Sequence, residues 1–468
     1  MAIDPINRAE SKRQGGAVAS RQSTAAYTDY RDVDPHQFLQ EAYDGNGGFS
    51  GKTDITSYLI ANASENFYKT RCAMSIYLNH FKKFIDAQWK PIFKHEIKTY
   101  VQTPEGNMVD EHLYLDFCEN VTGSGLNKID FQKILNKSAF IHDVSFAIMD
   151  MAEGDVEPFL YHKTIMQLVK YTTDEKGALT ACLFDDGKKN GTYYRRYIGL
   201  DKWALLASDK GTDDSFVVVY EAPNNLGILP VYPFFTQRPD DIDNYKPFPS
   251  HYDIASVGCY LYDKGSKLDY VIDKQAHSIL AIQGNIDAVP NGVDNALVIS
   301  ESERSIFQPQ FLSPPADLPR LHAERIAEVT AQMYDLMSDS GVSVQTAQIG
   351  TESGIAKSYT FNATNTNLKH TVTLQTKFDK WLYETYKVFM GDTGEWTSYS
   401  EYPVDFTPVP RLSVDEMLRL VDFYTAEGLS ENKIDALRRL RLTIDPMATV
   451  KDEKALIDEI ELKNRAID

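Results

Sequence analysis

The chain has 468 residues, a length that supports about three folding units, and a net charge of −19. That charge argues against a protein that grips nucleic acid through a broad basic face, but an acidic wall repels phosphate and would let nucleic acid slide past. No apolar run reaches the roughly 20 residues of a membrane span, and the N-terminal residues lack a signal-peptide core, so we expect neither membrane insertion nor export.

The N-terminal region, residues 1–54, is predicted to be a flexible arm. Residues 11–24 are polar and mixed in charge, and the glycine-rich segment 45–51 follows no strand, which makes it a linker and not a dinucleotide site. From Ser64 to Trp89 the spacing of apolar residues predicts one amphipathic helix. The residues expected to face the core are Phe67, Cys72, Ile76, Phe81, Phe84 and Ile85.

The next part of the chain, residues 55–247, is predicted to be an α+β domain. It has a helix from about Lys128 to Ile141, a mostly apolar strand from Val144 to Met149, and then an antiparallel sheet within residues 157–236. The predicted strands of this sheet are 159–171, 178–184, 192–200, 202–207 and 215–221, before the proline-bounded segment 228–235. Residues 396–408 are strand-like and could return to it.

The second half of the chain alternates helices with breaks. A helix from Ser250 to about Gln283 is followed by a proline-rich stretch, 284–318, with two short strands at 297–301 and 305–312. A second helix runs from Pro319 to the Ser340-Gly341 stop. The predicted order is therefore helix, small β insert, second helix, loop and much longer helix.

The break after Gly341 contains small and amide residues, with no lysine or arginine from Val342 to Glu352. A helix capped by Ser353 then extends to about Asp392, which allows a length of about 58 Å. Its apolar face comprises Phe361, Leu368, Val372, Phe378, Leu382, Tyr386 and Phe389. The N-terminal half is rich in Asn and Thr, a composition that suits contact with a neighbouring copy better than a single core, although a kinked enzyme helix is the plainer alternative.

A search for catalytic and metal-binding patterns is negative. The ten histidines form no zinc-ligand spacing, and neither a nucleophile elbow nor a phosphate-binding loop occurs. The acidic run at 240–243 is typical of a solvated turn, although it could hold a divalent cation. The pair Glu301 and Glu303, and the histidines His277 and His322, have structural interpretations that are simpler than catalytic ones. We therefore predict a protein that is not an enzyme and that has no cofactor and no metal site. The four cysteines, Cys72, Cys118, Cys182 and Cys259, are expected to be buried, reduced thiols.

The order of elements resembles that of the portal proteins of tailed bacteriophages, from about residue 55 to the end. Three segments carry the resemblance. Residues 119–151 are similar to the family's Gly-x-Gly turn, helix and small-residue strand in the wing, and residues 247–285 are similar to the first stem helix running into the clip. Residues 333–382 resemble the second stem helix, the tunnel loop and the long helix.

The resemblance implies a portal-like α+β fold. It has a wing with an antiparallel sheet, a two-helix stem with a small β clip, a long wing helix and a short helical crown. Its implied parts are the wing at 55–247 and 394–410, the stem helices at 248–283 and 319–341, the clip at 284–318, the tunnel loop at 342–352, the long helix at 353–393 and the crown at 411–468.

The family's function follows as an expectation from this resemblance. Portal proteins form a homo-oligomeric ring, usually of twelve copies, at one capsid vertex of the virion, and they are made in the host cytoplasm. Double-stranded DNA passes through the ring during packaging and ejection. The expected partners are the terminase large subunit, the head-tail adaptor, and the major capsid and scaffolding proteins.

Two groups of site residues follow from the same resemblance. The tunnel loop facing the DNA comprises Val342, Ser343, Val344, Gln345, Thr346, Ala347, Gln348, Ile349 and Gly350. An uncharged loop suits a moving duplex, because each lysine there could pair with a phosphate and stop it. The candidate DNA contacts in the stem are Lys264, Lys267, Arg320 and Arg325. The alternative is that these cations are exposed to solvent or form salt bridges with a neighbouring subunit. Two alternatives stay open, namely a self-assembling virion subunit that conducts no DNA, and an enzyme whose site is unrecognised.

Overall fold

A computed structural model of the chain describes residues 29–51, 57–60, 65–94, 96–109, 111–152, 154, 156–275, 279–283, 296–299, 310–312, 317–339 and 354–403. All of them belong to the first of two units into which the chain divides, Met1–Val404 and Asp405–Asp468. This part of the chain combines helices with mostly antiparallel sheets, which confirms the α+β class. Across these ranges no helix has both the length and the apolar composition of a membrane span.

Eight α-helices lie in the described ranges. They are α1 (Pro35–Asp44), α2 (Glu65–Met74), α3 (His80–Trp89), α4 (Leu113–Glu119), α5 (Lys128–His142), α6 (Tyr252–Gln275), α7 (Asp317–Asp339) and α8 (Gly354–Met390). At 1.5 Å per residue, α6 and α7 are each about 35 Å long and α8 is about 55 Å long. The long helix predicted from the sequence is thus present as a single α8.

The strands of the same part of the chain form four sheets. They are β1 (Thr99–Gln102), β2 (Met108–Val109), β3 (Val144–Asp150), β4 (Phe159–Thr164), β5 (Leu168–Thr173), β6 (Leu179–Lys189), β7 (Thr192–Gly199), β8 (Lys202–Ser208), β9 (Val217–Pro223), β10 (Val231–Phe235), β11 (Ile279–Gln283), β12 (Ala296–Ile299), β13 (Gln310–Leu312) and β14 (Thr397–Ser400). The strand orders are β14-β1-β2, β10-β3-β4, β12-β11-β13 and β5-β6-β7-β8-β9.

The prediction of a flexible arm is wrong for the segment that contains α1. The Asp34 side chain accepts hydrogen bonds from the backbone N–H groups of His36 and Gln37, and Pro35 occupies the first turn. Gly45 ends the helix with a φ of 66°, which a glycine adopts without strain. Four apolar residues of α1 are buried, so the segment belongs to a core; they are Phe38, Leu39, Ala42 and Tyr43. Residues 1–28 of the predicted arm lie outside the described residues.

The single helix predicted up to Trp89 is two helices, α2 and α3. The Ser75 hydroxyl donates to the carbonyl of Cys72 at 2.8 Å as α2 ends. Asn79 then caps α3 by accepting from the N–H of Lys82 at 2.7 Å. Ile76, predicted to face the core, is exposed in the intervening segment, because the break removes it from the helical register.

The predicted antiparallel sheet is divided between two sheets. The chain leaves β4 through a 3₁₀ turn, Ile165–Gln167, and enters β5 of the five-stranded sheet, so the segment predicted as one strand is two. The returning strand β14 does not join either of these sheets. It pairs antiparallel with β1, with Tyr100 opposite Tyr399.

The end of the first predicted stem helix is also different in the structure. Ile279–Gln283 form β11, which pairs parallel with β12 and antiparallel with β13. Ile279 and Ile282 suit either a helix or a strand, so their apolar character could not distinguish the two. The small β insert predicted between the stem helices is therefore a three-stranded sheet, and it begins before residue 284.

Three hydrophobic cores hold these elements together. The first joins α1, α2 and α3 to the beginning of α6 and the end of α7. The second packs α4 and α5 against β3, β10 and the C-terminal half of α8. The third lies between β3 and the first strands of the five-stranded sheet. All four cysteines are buried and free, as the sequence predicted.

Candidate functional site

The two helices predicted to form a stem, α6 and α7, pack side by side in opposite directions. Ile254 near the start of α6 shares a core with Met333 and Met337 near the end of α7. Farther along α6, Lys264 lies beside Leu321 in the first turns of α7. A cleft of about 230 Å³ opens there, lined by Tyr260, Lys264, Leu321, His322, Arg325 and Ile326. Two of the four predicted stem contacts therefore meet at one place.

The two candidate lysines on α6 have different surroundings. The Lys264 ammonium lies 5.1 Å from the centre of the Tyr260 ring, a cation–π distance, and borders the cleft. The Lys267 ammonium binds the carboxylate of Asp263 at 2.6 Å. Because Asp263 also binds the buried Arg71, Lys267 belongs to a structural ion cluster.

That cluster fixes the stem against α2. The Arg71 guanidinium is completely buried and donates to Asp263 and to the Ser266 hydroxyl, each at 2.8 Å. It also donates to the carbonyl of Ile60 at 3.0 Å. A buried guanidinium is tolerated only with such hydrogen-bonding partners, so Arg71 anchors α6 near the middle of the helix.

The two candidate arginines on α7 are exposed and bind carboxylates of their own helix. Arg320 lies 3.4 Å from Asp317 and 3.9 Å from Glu324. Arg325 binds Glu328 at 2.7 Å, and that hydrogen bond raises the pKa of the Arg325 guanidinium. The stem helices together carry more carboxylates than cations. A phosphate would therefore have to compete with carboxylates that are already bound.

The predicted tunnel loop, residues 342–352, lies outside the described residues. On its two sides the structure has the end of α7 at Asp339 and the start of α8 at Gly354. The assignment of Val342 to Gly350 to a DNA-facing loop stays a prediction. The predicted crown, the segments 284–295, 300–309 and 313–316 of the predicted clip, and the residues Glu301, Glu303 and His277 also fall outside the described part of the chain.

A buried polar network attaches α8 to α5 and to the residues at and after β14. Lys128 and Asp379 are 2% and 3% exposed, and their charged groups are 3.3 Å apart. Asp379 also accepts hydrogen bonds at 2.8 Å from the Gln132 amide and from the Tyr402 hydroxyl. Lys128 donates to the Ser400 hydroxyl at 2.6 Å. Each charge is thus compensated, as a buried ion pair requires.

The network continues one helical turn along both helices. The Gln375 amide donates to Asn136 at 2.8 Å, and Asn136 donates to the carbonyl of Gln132 at 2.6 Å. These residues belong to none of the sites predicted from the sequence. A signal was present, because Lys128, Gln132 and Asn136 recur every four residues on α5, and Gln375 and Asp379 do so on α8.

A group of buried histidines lies where α1 and α5 approach the start of α6. The rings of His36 and His142 are 5.4 Å apart, and His142 is hydrogen-bonded to Gln40 at 3.1 Å. Burial, together with the neighbouring histidines, lowers the pKa of His142 to about 3. Burial lowers the pKa of His162 to about 4. These histidines are therefore neutral at physiological pH.

Asp143 connects this region to the stem. It ends α5 with a φ of 68° and accepts hydrogen bonds from the N–H and the hydroxyl of Ser250, at 2.5 and 2.7 Å. Ser250 stands two residues before α6, so the C-terminus of α5 fixes the position from which the stem starts. The positive φ is one that aspartate adopts more readily than most residues.

No metal centre is found in the described ranges, where no group of three or more His, Cys, Asp or Glu side chains could hold an ion. The acidic run at Asp240, Asp241 and Asp243 is an exposed turn, in which Asp241 accepts a hydrogen bond from the N–H of Asp243 at 3.3 Å. His322 lies half-buried in the stem cleft. It lies beside Lys264 and Arg325, and its structural interpretation stays a prediction.

Comparison with known proteins gives matches among solved structures. No protein-family model and no curated protein matches the sequence. The chain is similar to one from the neck of an empty gene transfer agent particle computed with C6 symmetry, with 10% identity, a TM-score of 0.42, and coverage of 82% of this chain and 95% of that chain. It is also similar to a chain from the virion of a native gene transfer agent particle, with 10% identity, a TM-score of 0.36, and coverage of 85% and 90%.

A chain from the neck of a native gene transfer agent particle computed with C12 symmetry is similar as well, with 10% identity, a TM-score of 0.34, and coverage of 76% of this chain and 88% of that chain. The similarity is thus to chains of phage-like particles. Because the identities and TM-scores are low, the function of this chain has to be argued from its own residues.

Proposed function

We propose that this chain is one subunit of a portal, a homo-oligomeric ring at one capsid vertex of a phage-like virion through which double-stranded DNA enters and leaves. The observation that carries the proposal is the arrangement from α6 to α8. Two antiparallel helices bracket a small sheet in the chain order, and a helix of about 55 Å follows them and is anchored in an α+β body.

The chemistry of the described residues is consistent with a conduit. Lys128 and Asp379 bind each other, the buried histidines are packed inside the unit, and the stem cations bind carboxylates or rest on Tyr260. A channel wall of this kind would hold DNA only weakly, since tight phosphate binding requires free cations. The proposed roles of the chain are therefore to form a rigid collar and to present a tunnel loop without lysine or arginine.

The partners in this proposal are those of a portal. A separate terminase motor would supply the force for packaging, and its large subunit would dock on the clip. The head-tail adaptor would replace it after filling, while major capsid and scaffolding proteins would surround the ring. A second candidate, a connector that assembles without conducting DNA, uses the same self-association but not the loop.

The first experiment is negative-stain microscopy of the purified full-length protein. We expect rings of about a dozen subunits with a central hole at least as wide as duplex DNA, about 20 Å. A protein that stays monomeric over a wide range of concentration and salt would contradict the proposal. To separate the two candidates, residues 343–351 are deleted and DNA packaging into heads is measured. Normal filling and retention by this variant would favour the connector that conducts no DNA.

A further inference from the structure

The outer edge of the five-stranded sheet is unusually apolar. Four consecutive residues of β9 are more than half exposed, namely Val217 at 64%, Val218 at 54%, Val219 at 54% and Tyr220 at 56%. Among the described strands, β8 is the one that pairs with β9, and its other side has no described partner strand. Free strand edges pair readily with other chains, and proteins that stay monomeric usually protect them with charges.

In the described part of the chain, only two features protect β9 from pairing with another chain, a β-bulge and a proline at its end. The register shifts between Leu205 and Leu206, which leaves Val219 without an opposite residue, and Pro223 terminates the strand. From Val217 to Tyr220 there is no charged side chain. The exposed part of the edge is thus suited to burial against another protein surface.

An apolar cleft of about 580 Å³ adjoins this strand. Tyr220 and Trp203 form its wall on the five-stranded sheet, Phe159 lines it from β4, and Phe389 lines it from the last turn of α8. The strand edge and the cleft together make a continuous surface, which we call the β9 surface. Stable interfaces bury about 800 Å² on each partner, so the cleft adds area that four side chains alone would not supply.

The charges around the β9 surface indicate which partner can approach it. Three ion pairs border it, Lys202–Glu221 at 2.7 Å, Arg195–Asp213 at 2.6 Å and Arg196–Asp150 at 2.8 Å. Each of these three pairs is neutral in sum, although the whole chain carries −19. Two copies of so acidic a protein repel each other, and they can approach most closely where each charge already has a partner in its own chain.

We propose that the β9 surface is one side of the contact between neighbouring copies of this chain. The proposal rests on the proposed ring function and adds the residues that the ring would use. In a cyclic ring each contact joins two different surfaces, so the β9 surface of one copy would meet another surface of the next copy. An extended segment of that copy could then pair with the free edge of β9 while apolar side chains fill the cleft.

The test places lysines on this surface in the double variant Val218→Lys/Tyr220→Lys. Both side chains are solvent-exposed in the subunit, so the far-UV circular dichroism and the thermal unfolding curve should match those of the wild type. The fraction of protein in rings, counted by mass photometry at equal concentration, should fall at least about tenfold, because the interface would have to bury two charges. Met108→Lys is the matched control, since Met108 is 49% exposed on β2 of a different sheet, and it should form rings normally.

A labelling experiment locates the surface directly. Because the natural cysteines are buried, a maleimide will react mainly with a cysteine introduced at the surface. In assembled rings Val218→Cys should react at least about tenfold more slowly than Met108→Cys. If the wild type forms rings but Val218→Cys reacts as fast as Met108→Cys, or the double-lysine variant assembles normally, the β9 surface is not the contact while the ring function stands. If the wild type forms no ring at all, the proposed function itself fails.

Discussion

The pair Lys128 and Asp379 shows how one residue contact positions an entire helix. The two side chains are separated by just over half of the chain length and lie almost completely inside the protein. Removing a charge from water costs several kcal/mol, and the pair is tolerated because Gln132, Tyr402 and Ser400 complete its hydrogen bonds. Its value for the fold lies in specifying one arrangement of α5 and α8.

The variant Lys128→Met should therefore lower the free energy of unfolding by about 3–5 kcal/mol, because it leaves the Asp379 carboxylate buried without a cation. Denaturant titration measures this difference. Asp379→Asn in the same chain should recover about half of the loss or more. Lys133→Met, which removes the exposed pair with Asp130 on the same helix, should cost less than about 1 kcal/mol. Equal losses in Lys128→Met and Lys133→Met would show that the buried pair is not a special constraint.

Among the secondary-structure elements, the contact of α1 with α5 depends on neutral histidines. The folded-state pKa of His142 is about 3, whereas an unfolded chain titrates near 6.5. Below pH 6.5 the unfolded state thus binds a proton that the folded state does not bind. The contribution of His142 to stability is complete above that pH and decreases as the pH falls toward 3.

We expect the free energy of unfolding to fall between pH 7 and pH 5 by about 2 kcal/mol more in the wild type than in His142→Gln. Denaturant titrations at the two pH values give this difference. Gln37→Ala, which changes an exposed side chain on α1, serves as the control and should keep the wild-type pH dependence. Parallel curves for the wild type and His142→Gln would mean that His142 is protonated inside the folded protein.

Helix periodicity allowed a good prediction of the elements that have a continuous apolar face. Leu368, Phe378, Leu382 and Tyr386 are buried along α8 as expected. The helix α1 has an Asp-Pro start and a glycine end that are visible in the sequence, but the surrounding polar composition predicts flexibility, and that prediction is wrong here. The contact of Lys128 with Asp379 could not be predicted from spacing, since it joins residues brought together only by the tertiary fold.

On the scale of the whole molecule, the net charge of −19 opposes self-association. Repulsion between copies extends over a Debye length, which is about 30 Å at 10 mM salt and about 8 Å at 150 mM. Low salt strengthens attraction only between opposite charges. An interface built from apolar side chains, such as those of the β9 surface, would therefore not be stabilised by low salt. The balance of charge would therefore determine the conditions in which the proposed rings form.

Ring formation should accordingly increase when the salt concentration rises from about 10 mM to about 150 mM at constant protein concentration. Mass photometry over a series of sodium chloride concentrations measures the ring fraction. Sucrose at matched osmolality controls for effects other than ionic screening and should leave the fraction unchanged. Dissociation of rings as salt is added would instead indicate an interface held by ion pairs between copies.

The polar contacts of α8 with α5 have a mechanical consequence. A slip of α8 by one turn, about 5.4 Å, would put Gln375 or Tyr383 in the position of Asp379 and leave Lys128 with no carboxylate. Each intermediate position would break several hydrogen bonds at once. A force on one end of α8 should therefore tilt the whole helix as a rigid body, because the helix cannot slide along its own axis.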